Sequence, residues 1–100
     1  MYAVYGYSEL FHPFSSSLKE KRMTIQSIIA RMRKRFNVSV SEVSHQDLWQ
    51  RSGIGFSAVS SSYSELELII DAIRDTIENH GDDYQILSFD YRIVSWDDQV

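Results

Sequence analysis

Hydrophobic and polar positions along this chain follow two rhythms. From Tyr2 to Phe11 the rhythm is two: Val4, Gly6, Ser8 and Leu10 share one parity, and Tyr5, Tyr7, Glu9 and Phe11 the other. Alternation with aromatic residues predicts a strand. His12-Pro13 ends it, because proline donates no ladder bond. Ser17 and Glu20 then form an S-x-x-E capping box. Leu18, Ile25, Ile28, Ile29, Met32 and Phe36 follow on one helical stripe, which predicts a helix ending near Asn37. Val38 to Ser44 reads as a second strand, with a bulge expected near Ser41-Glu42 because Val43 breaks the parity. A polar loop from His45 to Gly53 leads to a third strand, Ile54 to Ser61. Ser62 and Glu65 make a second capping box ahead of the stripe Leu66, Ile69, Ile70, Ile73 and Ile77, which Gly81 is expected to close. Tyr84 to Trp96 alternates again and predicts the last strand.

The order is β-α-β-β-α-β. Right-handed crossovers and one apolar stripe per helix predict an α+β, ferredoxin-like split sandwich. Its antiparallel sheet should have strand order 4-1-3-2, with both helices on one face. One domain over residues 1–96 is expected, with a frayed tail at 97–100. This topology gathers three connections at one edge of the sheet. They are the turn from His12 to Ser17, the loop from His45 to Gly53, and the turn from Asn79 to Asp83.

Composition narrows the class. The chain has 100 residues, 43% of them hydrophobic, and only four Gly and one Pro, which suits a packed core rather than disorder. It has no cysteine, so no disulfide or thiolate metal site can form. That fits a reducing cytosol, the expected location. No apolar run approaches the roughly 20 residues that span a bilayer, so no membrane partner is expected. The start, MYAVYGYSELF, lacks a basic leader, and no signal peptide is expected. Net charge is −4, but residues 1–50 carry +3 and residues 51–100 carry −7. Every basic residue of the first half lies between Lys19 and Arg35. An acidic chain is a poor general binder of nucleic acid, yet a local basic face can act over a Debye length of roughly 8 Å.

Lys19, Lys21 and Arg22 stand in the first turns of the first helix, where the macrodipole opposes cations. A helix start with free N–H groups accepts anions. Ser17 with Lys19, Lys21, Arg22 and Arg51 is therefore a candidate phosphate or carboxylate site. The alternative is an ordinary salt-bridge patch, with Glu20, Asp47, Asp82 or Asp83 as partners. Trp49 in the 45–53 loop can stack on a base, anchor in a partner, or fold back on the core. Asp47 can order that loop by accepting hydrogen bonds. His12, His45 and His80 map to the same edge, but their spacing is no known ligand signature, and neither metal nor other cofactor is expected. Tyr5, Tyr7, Phe11 and one side of the last strand would populate the helix-free sheet face, a surface for homodimerisation. No nucleophile signature or Gly-rich phosphate loop is present, so no enzyme activity is expected.

Three blocks, SLKEKR at 17–22, FNVSVSEV at 36–43 and DLWQR at 47–51, resemble the YlxP-like family of small bacterial proteins. The resemblance runs from Tyr2 to Tyr91. It implies a ferredoxin-like fold, a bacterial cytosolic setting and a domain of unknown function. It also implies genes often placed beside translation and ribosome-maturation factors. Where relatives often show a His-x-Pro turn, His12 here adjoins Pro13. The combined expectation is a non-enzymatic, RNA- or ribosome-associated binding module, with no DNA partner. The alternative is a dimeric protein-interaction or small-anion-binding domain.

Overall fold

The computed structural model describes residues 1–79 and 83–96. His80, Gly81, Asp82 and the 97–100 tail, each named in an expectation above, lie outside the described residues. The elements are β1 (Tyr2–Phe11), α1 (Leu18–Arg35), β2 (Ser39–Ser44), β3 (Arg51–Ser60), α2 (Tyr63–Glu78) and β4 (Gln85–Ser95). They form one four-stranded antiparallel sheet ordered β2-β3-β1-β4, with both helices on one face. This is the predicted ferredoxin-like arrangement. No described helix is long and apolar enough to cross a membrane.

Parity decides what each strand buries. Val4, Ser8 and Leu10 of β1 face the helices with Val40 of β2 and Ile54, Phe56 and Ala58 of β3. Ile25, Ile28 and Met32 of α1 and Leu66, Ile70, Ile73 and Ile77 of α2 close the layer. Gly6 permits close packing in this layer. A Cβ there would lie 2.3 Å from the Phe56 ring, which crosses β1 and stacks on Phe89 with centroids 5.4 Å apart. Ser8, buried in this layer, donates to the Ser88 carbonyl at 2.9 Å.

Both helices start as their capping boxes predict. Ser17 accepts from the Glu20 N–H at 3.1 Å, and Ser62 from the Glu65 N–H at 3.2 Å. Strand ends fall within a residue or so of the sequence reading except at the start of β3, and two differences bear on the site. The register shift in β2 lies between Glu42 and Ser44, at Val43. β3 begins at Arg51, because Phe11 pairs with Arg51 and Glu9 with Gly53. The connecting loop therefore shrinks to six residues, His45–Gln50.

Candidate functional site

The start of α1 does meet the 45–50 loop, but through one buried side chain. Lys21 is fully buried. Its ammonium donates to the carbonyls of His45 at 2.8 Å, Gln46 at 3.1 Å and Arg51 at 3.1 Å. Glu42 Oε2 lies 3.0 Å away on the core side of β2, with 13% of its side chain exposed. The three ammonium protons go to the three carbonyls, so charge attraction holds the carboxylate. Such charge-assisted bonds are worth roughly 1.5–3 kcal/mol each, enough to offset part of the cost of burying the ion. No side of this ammonium remains for an external anion. The expectation that Lys21 contacts phosphate is corrected: it ties both stems of the loop to α1.

The loop is fastened at its neck by further bonds. His45 adopts a left-handed backbone, φ 59°, and its carbonyl also accepts from the Leu48 N–H at 3.0 Å. His12 N–H donates to the Gln50 carbonyl at 2.8 Å, and Gln50 Nε2 to the Pro13 carbonyl at 3.3 Å. Asp47 makes no side-chain hydrogen bond among the described residues, so loop order comes from Lys21 and His45 instead. What remains outside is the tip. Leu48 is 48% exposed and Trp49 54% exposed. Trp49 does not fold back on the core. Asp47 to Arg51 line an open hollow of about 400 Å³.

Arg51 is committed elsewhere. Its guanidinium pairs with Glu9 Oε2 on the helix-free face. His45 Nε2 lies 2.8 Å from Glu9 Oε1, and Tyr7 donates to the same oxygen at 3.3 Å. The His45 bond, helped by Arg51, holds the Glu9 carboxyl below its ordinary pKa. Tyr7 also meets the Ser44 hydroxyl at 2.6 Å, above Gly53, where a Cβ would come within 1.9 Å of that hydroxyl. The carboxylates that neutralise Lys21 and Arg51 are thus Glu42 and Glu9, both on strands, and not the candidates nearer the helix start.

The helix start supplies its own anion. Glu20 accepts from the Ser16 N–H at 2.9 Å and the Ser16 hydroxyl at 3.0 Å. Those two bonds lower its carboxyl pKa. Ser17 is occupied as the cap, and the adjoining hollow of about 200 Å³ is bordered by Glu20 and Asp83. An external anion at the helix end would therefore have to compete with the Glu20 carboxylate.

Four cations of α1 differ from these. Lys19, Arg22, Arg31 and Lys34 are exposed, and none has a hydrogen-bond or ion-pair partner among the described residues. Lys19 and Lys34 occupy the side of α1 opposite Ile28 and Met32, while Arg22 and Arg31 flank that side to left and right, Arg31 near enough to Tyr84 for its charge to act on the phenol. The pairs Lys19/Arg22 and Arg31/Lys34 stand about 18 Å apart along the axis at 1.5 Å per residue. Arg33 and Arg35 are engaged, with the Val40 carbonyl and with Thr76 and the Phe36 ring.

The histidines do not converge. His12 is buried, and its Nε2 shares a 2.8 Å bond with Ser52. Burial, helped by the Lys21 charge, pushes its pKa down to about 4. The Tyr84 ring lies 5.6 Å from it, and burial raises the Tyr84 phenol to about 12. His45 is bound to Glu9, and no group of three metal-ligating side chains occurs among the described residues.

A family described as "Protein of unknown function (DUF503)" matches residues 4–91. The uncharacterized protein YlxP of Bacillus subtilis (strain 168) is 49% identical over 53 residues, 53% of this chain and 58% of the relative. The chain thus aligns with little more than half of that relative's length. Among solved structures, the de novo designed protein Foldit4 superposes with a TM-score of 0.56 at 11% identity, over 97% of this chain and 100% of the other. A dimeric ferredoxin-like protein from an uncultured marine organism gives 0.51 at 9% identity, over 97% and 99%. These two likenesses show the fold alone. The chain belongs to the YlxP-like DUF503 family.

Proposed function

We propose that this member of the YlxP-like family is a non-enzymatic, cytosolic binding module for RNA, in isolation or on the ribosome. The exposed side of α1 contacts phosphates, and the loop tip supplies a stacking group. One observation carries the reading. In a chain of net charge −4, Lys19, Arg22, Arg31 and Lys34 stand exposed around the solvent-facing half of one helix, without a hydrogen-bond or ion-pair partner among the described residues. Cations in a first helical turn oppose the macrodipole, and a polyanion laid on them relieves that cost. Trp49 is available for a base, because Lys21 fixes the loop while leaving the indole outside. Lys21 and Arg51 act here as positioning residues.

The test is RNA affinity measured against salt. Each phosphate contact removed should lower the slope of log K against log salt by about 0.7–0.9. Lys19→Ala with Arg22→Ala should therefore lower it by about 1.4–1.8. Absence of RNA binding at low salt, or a slope indifferent to these changes, rejects the reading. Retention of a small phosphorylated molecule by RNA-free protein would favour the small-anion alternative.

A further inference from the structure

The sheet has two outer strands, and they are defended differently. β2 has six residues, a register shift at Val43, and Arg33 Nη2 on its Val40 carbonyl at 3.1 Å. Short, irregular, covered edges resist pairing with another chain. β4 has 11 residues, and its one register shift lies near its start, opposite Glu9/Leu10. Neither lysine nor proline interrupts it.

The hydrogen-bond phase of β4 can be read directly. Trp96 N–H donates to the Met1 carbonyl at 2.8 Å, and Val94, Arg92 and Asp90 pair with Ala3, Tyr5 and Tyr7. Bonding pairs in an antiparallel ladder recur every second residue. Arg92 and Asp90 thus spend their backbone groups on β1. Phe89, Tyr91 and Ile93 point theirs outward, and no described residue meets them.

We infer that the outer edge of β4 pairs with β4 of a second copy, joining two sheets into one of eight strands. The sequence is self-complementary about Tyr91. With a two-fold axis at that residue, Tyr91 faces Tyr91 and Phe89 faces Ile93, and their outward backbone groups exchange bonds. Asp90 then stands opposite Arg92 of the second copy, twice. These two pairs lie at non-hydrogen-bonded positions, where side chains come closest. Moving the axis to Asp90 or Arg92 sets like charges face to face. Moving it by half a residue pairs outward groups with inward ones. The self-matching of charge and bond phase favours a second copy over an unrelated peptide. Both α2 helices would share one side of the joined sheet. Each carries five acids and one Arg, a repulsion that salt screens along with the attraction of the Asp90–Arg92 pairs, so the test is made at one fixed ionic strength.

Sedimentation equilibrium of the full chain, without RNA, tests this. A concentration-dependent monomer–dimer equilibrium is expected. Asp90→Arg or Arg92→Asp alone should raise the dimer Kd about tenfold or more, and the two together should restore it. Tyr91→Pro removes an outward N–H while leaving the β1 ladder intact, and should yield a folded monomer by circular dichroism. A monomer at every concentration overturns the inference. So does a dimer indifferent to Tyr91→Pro, or single charge swaps that the double swap fails to rescue.

Discussion

Lys21 and Arg22 adjoin in sequence and differ in circumstance. Lys21 is fully buried among three carbonyls and a carboxylate; Arg22 is exposed and partnerless among the described residues. One helical step of 100° separates architecture from availability. The comparison teaches that a basic run cannot be counted as a basic site until each charge has been followed to its partner. Here the inner cation builds the loop, and the outer ones remain free to act.

The sharpest way to break that contrast is to remove the inner charge. Lys21→Met should cost about 3–5 kcal/mol in denaturant unfolding, since it leaves Glu42 charged and largely buried and strips three carbonyls. Lys21→Met with Glu42→Leu should recover part of the loss. An unfolding free energy unchanged by Lys21→Met would erase the distinction between the two residues.

Next in size is a pH effect from the neighbouring buried imidazole. His12 has a folded pKa of about 4 against an ordinary 6.5. Below pH 6.5 the unfolded chain takes up a proton that the folded chain refuses. Stability should therefore fall as pH drops from about 6.5 to 4, by up to about 3 kcal/mol. Thermal unfolding against pH, with His12→Gln lacking this component, checks it. Glu9 and Glu20, whose pKa values are lowered, lose their contributions only at more acidic pH, below about 4.5.

The outer region should respond in affinity rather than stability. Trp49→Ala should weaken RNA binding by about 1–3 kcal/mol. It should shift unfolding by less than about 0.5 kcal/mol, the usual range for an exposed position. The smallest expected effect is that of Lys19→Ala or Arg22→Ala on folding. Each should leave stability unchanged or raise it by about 0.3–1 kcal/mol, by relieving the macrodipole. A clear loss of stability in either variant would mean that the outer cations are structural too.

Much of this was legible in the chain. Period two and period 3.6 carried the element order, and the capping boxes placed both helix starts. The misses have physical reasons. Arg51-Ser52-Gly53 looks like loop by residue type, yet pairing with β1 makes it strand. Lys21 falls on the same helical period as Leu18, Ile25, Ile28 and Met32, so its burial had a local signal. Its acceptors had none, because they are backbone carbonyls up to 30 residues away. Glu42 shares parity with Val40 and so faces the core; Glu9 shares parity with Tyr7 and so faces away. Strand parity, more than proximity to the helix start, chose the partners. Nothing local marks the left-handed backbone of His45, which the bonds to Lys21 and Glu9 hold in place.

The contrast can be measured on the unmodified protein by amine labelling. The chain has three lysines, Lys19, Lys21 and Lys34. Under native conditions a water-soluble acylating reagent, followed by mass spectrometry, should modify Lys19 and Lys34 readily and spare Lys21 until the protein unfolds. Labelling of Lys21 in the folded state at the rate of Lys19 would contradict the account.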